Sequence, residues 1–134
     1  MMNEELKKQL RNRRICVVIP TYNNGKTIKT VVEKCLLYCD DVIIVTDGCT
    51  DRTTDILHAI DGITIVSYAQ NRGKGYALKM GFRKALEMGF SYAITLDGDG
   101  QHYPEDIPLF LKANQQHRQS LIIGSRQLEG VDRT

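Results

Sequence analysis

Tyr92-Ala93-Ile94-Thr95-Leu96-Asp97-Gly98-Asp99-Gly100-Gln101-His102-Tyr103 is an apolar run that ends in an acidic, glycine-rich loop. The run reads as a buried strand. Pro104-Glu105-Asp106-Ile107-Pro108 follows and reads as a helix start, with proline at a first-turn position and acids at the positive end of the helix. Two carboxylates, Asp97 and Asp99, therefore sit at the carboxyl end of a strand. Side chains two apart on extended backbone point the same way. Paired hard oxygens suit Mg²⁺ or Mn²⁺, ions that commonly bridge to substrate phosphates. Asp-Gly pairs also make ordinary turns. The position after a strand favours the ligand reading, because open α/β sheets bind ligands beyond the carboxyl ends of their strands.

Working outward, strand and helix patterns alternate. Ile15-Cys16-Val17-Val18-Ile19, ended by Pro20, is a continuous apolar run of the kind buried on both faces of a sheet. Residues 26–38 carry Ile28, Val31, Val32, Cys35 and Leu36 at helical spacing. Val42 to Val45 predicts a second strand. Thr50 or Asp51 is positioned to cap a helix reaching about Ile60, and Ile63 to Tyr68 predicts a third strand. Lys74 to Met88 predicts a helix with Leu78, Gly81, Phe82 and Ala85 on one side. Pro104 to His117 predicts another, with Ile107, Phe110, Leu111 and Asn114 on one face. Leu121-Ile122-Ile123 predicts a fifth strand. The class is α/β, an open and mostly parallel sheet flanked by helices.

The 134 residues are enough for one domain and one core, and the 42% hydrophobic content is ordinary. No apolar stretch approaches the roughly 20 residues of a membrane-spanning helix. Five of the 18 basic and two of the 16 acidic side chains lie in residues 1–14, which leaves 13 basic and 14 acidic elsewhere. The body is near neutral, which argues against a nucleic-acid-binding face. Residues 1–14 form a basic arm, expected to be a solvated, frayed helix, with a weak contact to anionic lipid as the sharper alternative. Cys16, Cys35, Cys39 and Cys49 read as reduced thiols, the first two on apolar faces, and imply a cytoplasmic setting. Cys35 and Cys39 lie one helical turn apart, but two thiolates without a second pair make a poor zinc site.

The informative polar residues all follow strands: Pro20-Thr21-Tyr22-Asn23-Asn24-Gly25, Thr46-Asp47-Gly48-Cys49-Thr50-Asp51, Gln70-Asn71-Arg72-Gly73-Lys74-Gly75, the double-Asp loop, and Ser125-Arg126. In a parallel sheet such loops converge on one edge. Their chemistry suits a nucleoside diphosphate. Asp47 can accept from a base N–H or a ribose hydroxyl, or it can stabilise the turn that follows it. Tyr22 offers an aromatic face, Lys74 and Arg126 can meet phosphate, and Asp99 can hold a bridging cation. Two other phosphate motifs fail. Gly73-Lys74 lacks the first glycine and the Ser/Thr of a Walker loop, and Leu78 stands where a dinucleotide fingerprint needs its third glycine.

The segments Val17 to Asn23, Val45 to Asp51, Asn71 to Leu78, Leu96 to His102 and Ile123 to Arg126 together resemble glycosyltransferase family 2, nucleotide-sugar transferases with the GT-A fold. Gln101-His102, Pro104 to Ile107 and Gly124-Ser125-Arg126 are most similar to its dolichyl- or polyprenyl-phosphate mannosyl- and glucosyltransferases. The resemblance implies an inverting hexose transfer from GDP-mannose or UDP-glucose, with Mg²⁺ or Mn²⁺. It implies a polyprenyl-phosphate acceptor at the membrane surface, and a cytoplasmic or inner-face peripheral location. The implied nucleotide-sugar set is Pro20, Thr21, Tyr22, Asn23, Asp47, Gly48, Asn71, Lys74 and Asp97. Asp99 and Gln101 are the implied metal ligands, and Asp97, Asp99 and Arg126 the implied catalytic residues. Residues 15–134 would be the nucleotide-sugar-binding part of the domain.

This chain departs from the family's frequent Asp-Asp-Gly-Ser, with Thr46 in place of the first Asp and Cys49 in place of Ser. It also stops soon after the fifth predicted strand, so it reads as truncated before the acceptor-side residues. A non-catalytic nucleotide-sugar-binding module is the alternative. A nucleotidyltransferase is weaker, because its Gly-rich loop after the first strand is absent. An uncovered sheet would also favour self-association.

Overall fold

The computed structural model describes residues 2–98, 104–116 and 125–127. The elements in chain order are α1 (Met2–Asn12), β1 (Ile15–Thr21), α2 (Ile28–Tyr38), β2 (Val42–Asp47), α3 (Thr53–His58), β3 (Ile63–Tyr68) and α4 (Lys74–Glu87). There follow β4 (Tyr92–Thr95), a 3₁₀ turn (Pro104–Asp106), α5 (Ile107–Gln116) and β5 (Ser125–Gln127). The sheet order is β3-β2-β1-β4-β5. The first four strands in that order pair in parallel, and β5 pairs antiparallel to β4.

β1 is buried along its whole length because it lies mid-sheet with helices on both faces. Its side chains alternate between two apolar layers. Ile15, Val17 and Ile19 join Leu10 of α1, Ile28, Val32 and Cys35 of α2, Leu57 of α3 and Leu111 of α5. Cys16 and Val18 join Ile43, Ala93 and the α4 residues Phe82 and Ala85. This period-two split is the pleat of one strand read out on two faces.

α4 can lie close to the sheet because position 81 has no side chain. A Cβ there would stand 2.5 Å from Val18 Cγ1 and 3.1 Å from Val45 Cγ2. Both neighbours belong to buried strands. Gly81→Val is therefore expected to destabilise by about 2–3 kcal/mol through overpacking, despite the better helix propensity of valine. Chemical denaturation should show a lower midpoint at an unchanged slope. An unshifted midpoint would mean that α4 is free to lift off the sheet.

The amino-terminal segment differs from the frayed, solvated helix expected of it. α1 is docked. Leu10 is fully buried and Leu6 packs beside it, a contribution of about 2 kcal/mol for a leucine taken out of water. Lys7 Nζ and Arg11 Nη1 both reach Asp40, at 3.2 and 2.7 Å. Arg13 donates through Nε to Asn114 Oδ1 at 2.8 Å, tying the segment to α5. The charges of 1–14 masked two leucines whose spacing lets them turn inward together.

Two further expectations are corrected. The third helix is shorter than expected, Thr53–His58 instead of a run reaching Ile60. Asp51 does act at its start, with Oδ1 accepting from Thr53 N at 2.9 Å. Ser125 and Arg126 are not in a loop that follows a strand. Their backbone forms the antiparallel edge strand itself, with Ser125 opposite Ile94 and Arg126 opposite Ala93. A three-residue polar edge strand owes its pairing to the free backbone groups of β4 and has no apolar signature. Leu121 to Ile123, the expected fifth strand, lies outside the described residues. Cys16, Cys35 and Cys39 are buried in the two layers. Burial pushes the Cys35 and Cys39 thiols up to about 12, so both stay protonated and apolar in character.

Candidate functional site

The four parallel strands end at one edge, and the loops leaving β1, β2 and β4 meet there with the first turn of α4. They enclose a cleft of about 280 Å³ lined by Pro20, Thr21, Tyr22, Asn24, Asp47, Lys74, Ala77, Asp97 and Gly98. Six expected nucleotide-sugar residues thus share one cavity: Pro20, Thr21, Tyr22, Asp47, Lys74 and Asp97.

The β1 loop is shaped by Asn24. Its Oδ1 accepts from Thr21 Oγ1 at 2.6 Å and from Tyr22 N at 3.2 Å. Tyr22, held at this turn, lines the cleft and is 48% exposed. Gly98 presses against the same turn: a Cβ at 98 would lie 2.8 Å from Thr21 Oγ1. The Gly98 carbonyl accepts from Thr27 Oγ1 at 2.7 Å, fixing the start of the acidic loop to the segment leading into α2. Asn23 turns away from the cleft. Its Oδ1 accepts from Thr50 N at 2.8 Å and from Asp51 N at 3.2 Å, stapling the β1 loop to the β2 loop. It does so with a φ of 51°, a left-handed conformation that asparagine tolerates.

Asp47 is the most constrained group of the site. It is 3% exposed. Oδ1 accepts from the Tyr68 hydroxyl at 2.7 Å and from Arg72 N at 2.9 Å. Oδ2 accepts from Asn71 Nδ2 and from Gly73 N, both at 2.9 Å. Asn71 Nδ2 also reaches the Asp47 carbonyl at 3.0 Å. Asp47 therefore organises the 71–73 turn, and Asn71 faces the aspartate instead of lining the cleft. Gly48 permits the arrangement, with a φ of 65° and the backbone of the 70–71 segment directly over its Cα.

Also lining the cleft, Lys74 Nζ meets Asp97 Oδ1 at 2.8 Å. The lysine side chain is 62% exposed and the aspartate 17%. One movable cation and one fixed carboxylate thus stand beside each other at the carboxyl end of β4. Asp99, Gln101 and the side chain of Arg126 lie outside the described residues.

Residue order by itself does not single out Asn24 or Tyr68. Asn24 lies in a loop already flagged, and its role as a turn acceptor was discoverable from the Thr-x-x-Asn spacing. Tyr68 was hidden because its partner, Asp47, is its neighbour only through the parallel register of β2 and β3.

A profile of glycosyl transferase family 2 matches residues 16–134. The chain is 31% identical over 129 residues to the UDP-N-acetylglucosamine–dolichyl-phosphate N-acetylglucosaminyltransferase of Methanococcus voltae, covering 84% of this chain and 51% of that protein. It is 31% identical over 113 residues to the undecaprenyl-phosphate 4-deoxy-4-formamido-L-arabinose transferase of Edwardsiella ictaluri, covering 76% of this chain and 34% of that one. The chain thus spans about half the length of the first relative and about a third of the second. Among solved structures, the Mycobacterium tuberculosis glucosyl-3-phosphoglycerate synthase, crystallised with Mn²⁺, UDP and glucosyl-3-phosphoglycerate, superposes with a TM-score of 0.62 at 27% identity, over 79% of this chain and 41% of that one. The sheet with its flanking helices is the GT-A fold of these transferases. A family profile spanning β1 to the chain end, on a sheet whose loop edge forms the cleft, shows that this chain belongs to glycosyl transferase family 2.

Proposed function

We propose that the cleft binds the nucleoside diphosphate of a sugar donor, and that the protein transfers the sugar to a polyprenyl phosphate with inversion at the anomeric carbon. The carrying observation is the convergence of Tyr22, Asp47, Lys74 and Asp97 on one cavity at the carboxyl edge of the sheet. Tyr22 offers a face to the base and Asp47 an edge. Lys74, on a long exposed stem, can leave Asp97 for a donor phosphate. The name of the Methanococcus voltae relative favours a uridine nucleotide over GDP-mannose, and the names of both relatives favour a lipid-phosphate acceptor, which would bring the protein to the membrane surface. No helix among the described residues is long and apolar enough to cross a membrane.

A phosphate acceptor is already anionic, so attack on the anomeric carbon needs little help from a general base. The departing diphosphate gains charge as its bond to carbon breaks, and Lys74 is placed to stabilise it. This reading includes a divalent cation. Asp97 supplies hard oxygens at the strand end, and Asp99 and Gln101, by resemblance, would complete the ligands. When bound, such an ion would add positive charge at the leaving group.

Calorimetric titration of UDP, GDP and their sugars in Mn²⁺ tests the donor site, and no binding at millimolar concentration would defeat it. The same titration tests the ligand assignment. Asp99→Asn should weaken nucleotide affinity about tenfold or more in Mn²⁺ and change it little in EDTA. Equal loss in both would show Asp99 acting through the loop's structure instead. Transfer assays with polyprenyl phosphate separate an enzyme from a non-catalytic binding module.

A further inference from the structure

The carboxylate expected to read the base has no acceptor position left. A carboxylate offers about four lone-pair sites, and Asp47 uses them on Tyr68, Asn71, Arg72 and Gly73. A base N–H that reaches Asp47 must therefore displace one of these donors.

The four are not equally replaceable. Arg72 N and Gly73 N are backbone groups of a turn that lies over Gly48, where even a methyl group would meet Asn71 N at 2.2 Å. Moving them means rebuilding the turn. Asn71 Nδ2 is held twice, by the carboxylate and by the carbonyl of the same aspartate. Tyr68 contributes one bond from a side-chain hydroxyl, at the carboxyl end of the sheet's edge strand. Its ring meets Tyr76 edge-on at 5.2 Å. Turning the phenol away costs one hydrogen bond and leaves the backbone in place.

We propose that the Tyr68 hydroxyl is a built-in competitor of the nucleobase, holding on Asp47 Oδ1 the position that a base N–H must take, so that Tyr68 sets donor affinity. This rests on the donor-cleft reading above. The phenol is a steady competitor. Burial and the Asp47 contact raise its pKa above the ordinary tyrosine value, so it stays a donor through and beyond neutral pH. Tyr68 is a positioning residue, since it acts on the base through Asp47.

Tyr68→Phe keeps the ring and its edge contact and removes only the competing donor. Titrated with UDP and Mg²⁺, the variant should bind at least about tenfold more tightly than the parent chain, the worth of one hydrogen bond to a carboxylate. Inorganic pyrophosphate, which has no base, should bind both chains alike. In the parent chain labelled with ¹³C at tyrosine Cζ, the Tyr68 resonance should move when UDP is added. That measurement does not depend on the variant folding. Equal or weaker UDP binding by a folded variant would overturn the competitor role. So would a gain that pyrophosphate shares, or a Tyr68 resonance that UDP leaves in place. If neither chain binds UDP or GDP at millimolar concentration, the donor-cleft reading itself falls, and this inference with it.

Discussion

Asp47→Ala should lower stability by about 3 kcal/mol, a fall of about 10 °C in Tm for a domain of this size. The expectation follows from what the carboxylate holds. Four donors converge on it, two of them backbone N–H groups of one turn. Alanine leaves those donors without an acceptor in a position that is 3% exposed. Leaving a buried polar group unpaired costs about 1–3 kcal/mol, and water admitted to the new space recovers part of the sum. The loss should be local as well as global, with the Arg72 and Gly73 amides exchanging faster than those of β1. Asp47→Asn separates charge from geometry. An amide oxygen can still serve two donors, but its NH₂ faces the other two. The asparagine variant should therefore fall well below the parent chain, although its size is unchanged. A Tm within about 2 °C of the parent for both variants would show that the 71–73 turn is held by something other than Asp47.

Gly48→Ala should be as costly, at about 3 kcal/mol, and for a different reason. The residue has a φ of 65°. An L side chain in that region costs about 1–2 kcal/mol by itself. The added Cβ would then lie 2.2 Å from Asn71 N, 2.6 Å from Gln70 C and 2.7 Å from Asn71 Cα. These are backbone atoms, so no rotamer change relieves the contact. The 70–73 segment must move, and with it the partners of Asp47. On the proposed function, nucleotide affinity in Mn²⁺ should fall together with Tm, because the turn that lies against the cleft residue Asp47 is displaced. Parent-like Tm and affinity would mean that the segment yields without strain. The two variants also act on one structure, so the double variant should cost less than the sum of the singles.

Much of the frame is legible in the sequence. The apolar runs at Ile15 to Ile19, Val42 to Val45 and Ile63 to Tyr68 fall in β1, β2 and β3, and the helix faces carrying Val31, Val32 and Cys35 or Phe82 and Ala85 are buried ones. Local periodicity reports these directly, because burial on one face of a helix or both faces of a strand is written into neighbouring residues. The acidic loop after β4 and the polar loops after β1 and β2 announced their edge for the same reason. The inward turn of Leu6 and Leu10 was obscured by the charges around them, and was decided by the partners that α2 and β1 offered.

Sequence alone thus determined the order of elements, the α/β class and the edge at which polar chemistry gathers, since each is a matter of neighbours along the chain. Tertiary structure decided the rest. It put Tyr68 opposite Asp47 through the register of two parallel strands. It turned Asn71 inward and brought Lys74 to Asp97. It made Ser125 and Arg126 part of an antiparallel edge strand. The physical reason is common to all of these. A hydrogen bond or ion pair between residues more than 20 apart depends on which backbone lies opposite, and no periodicity within either segment records that choice.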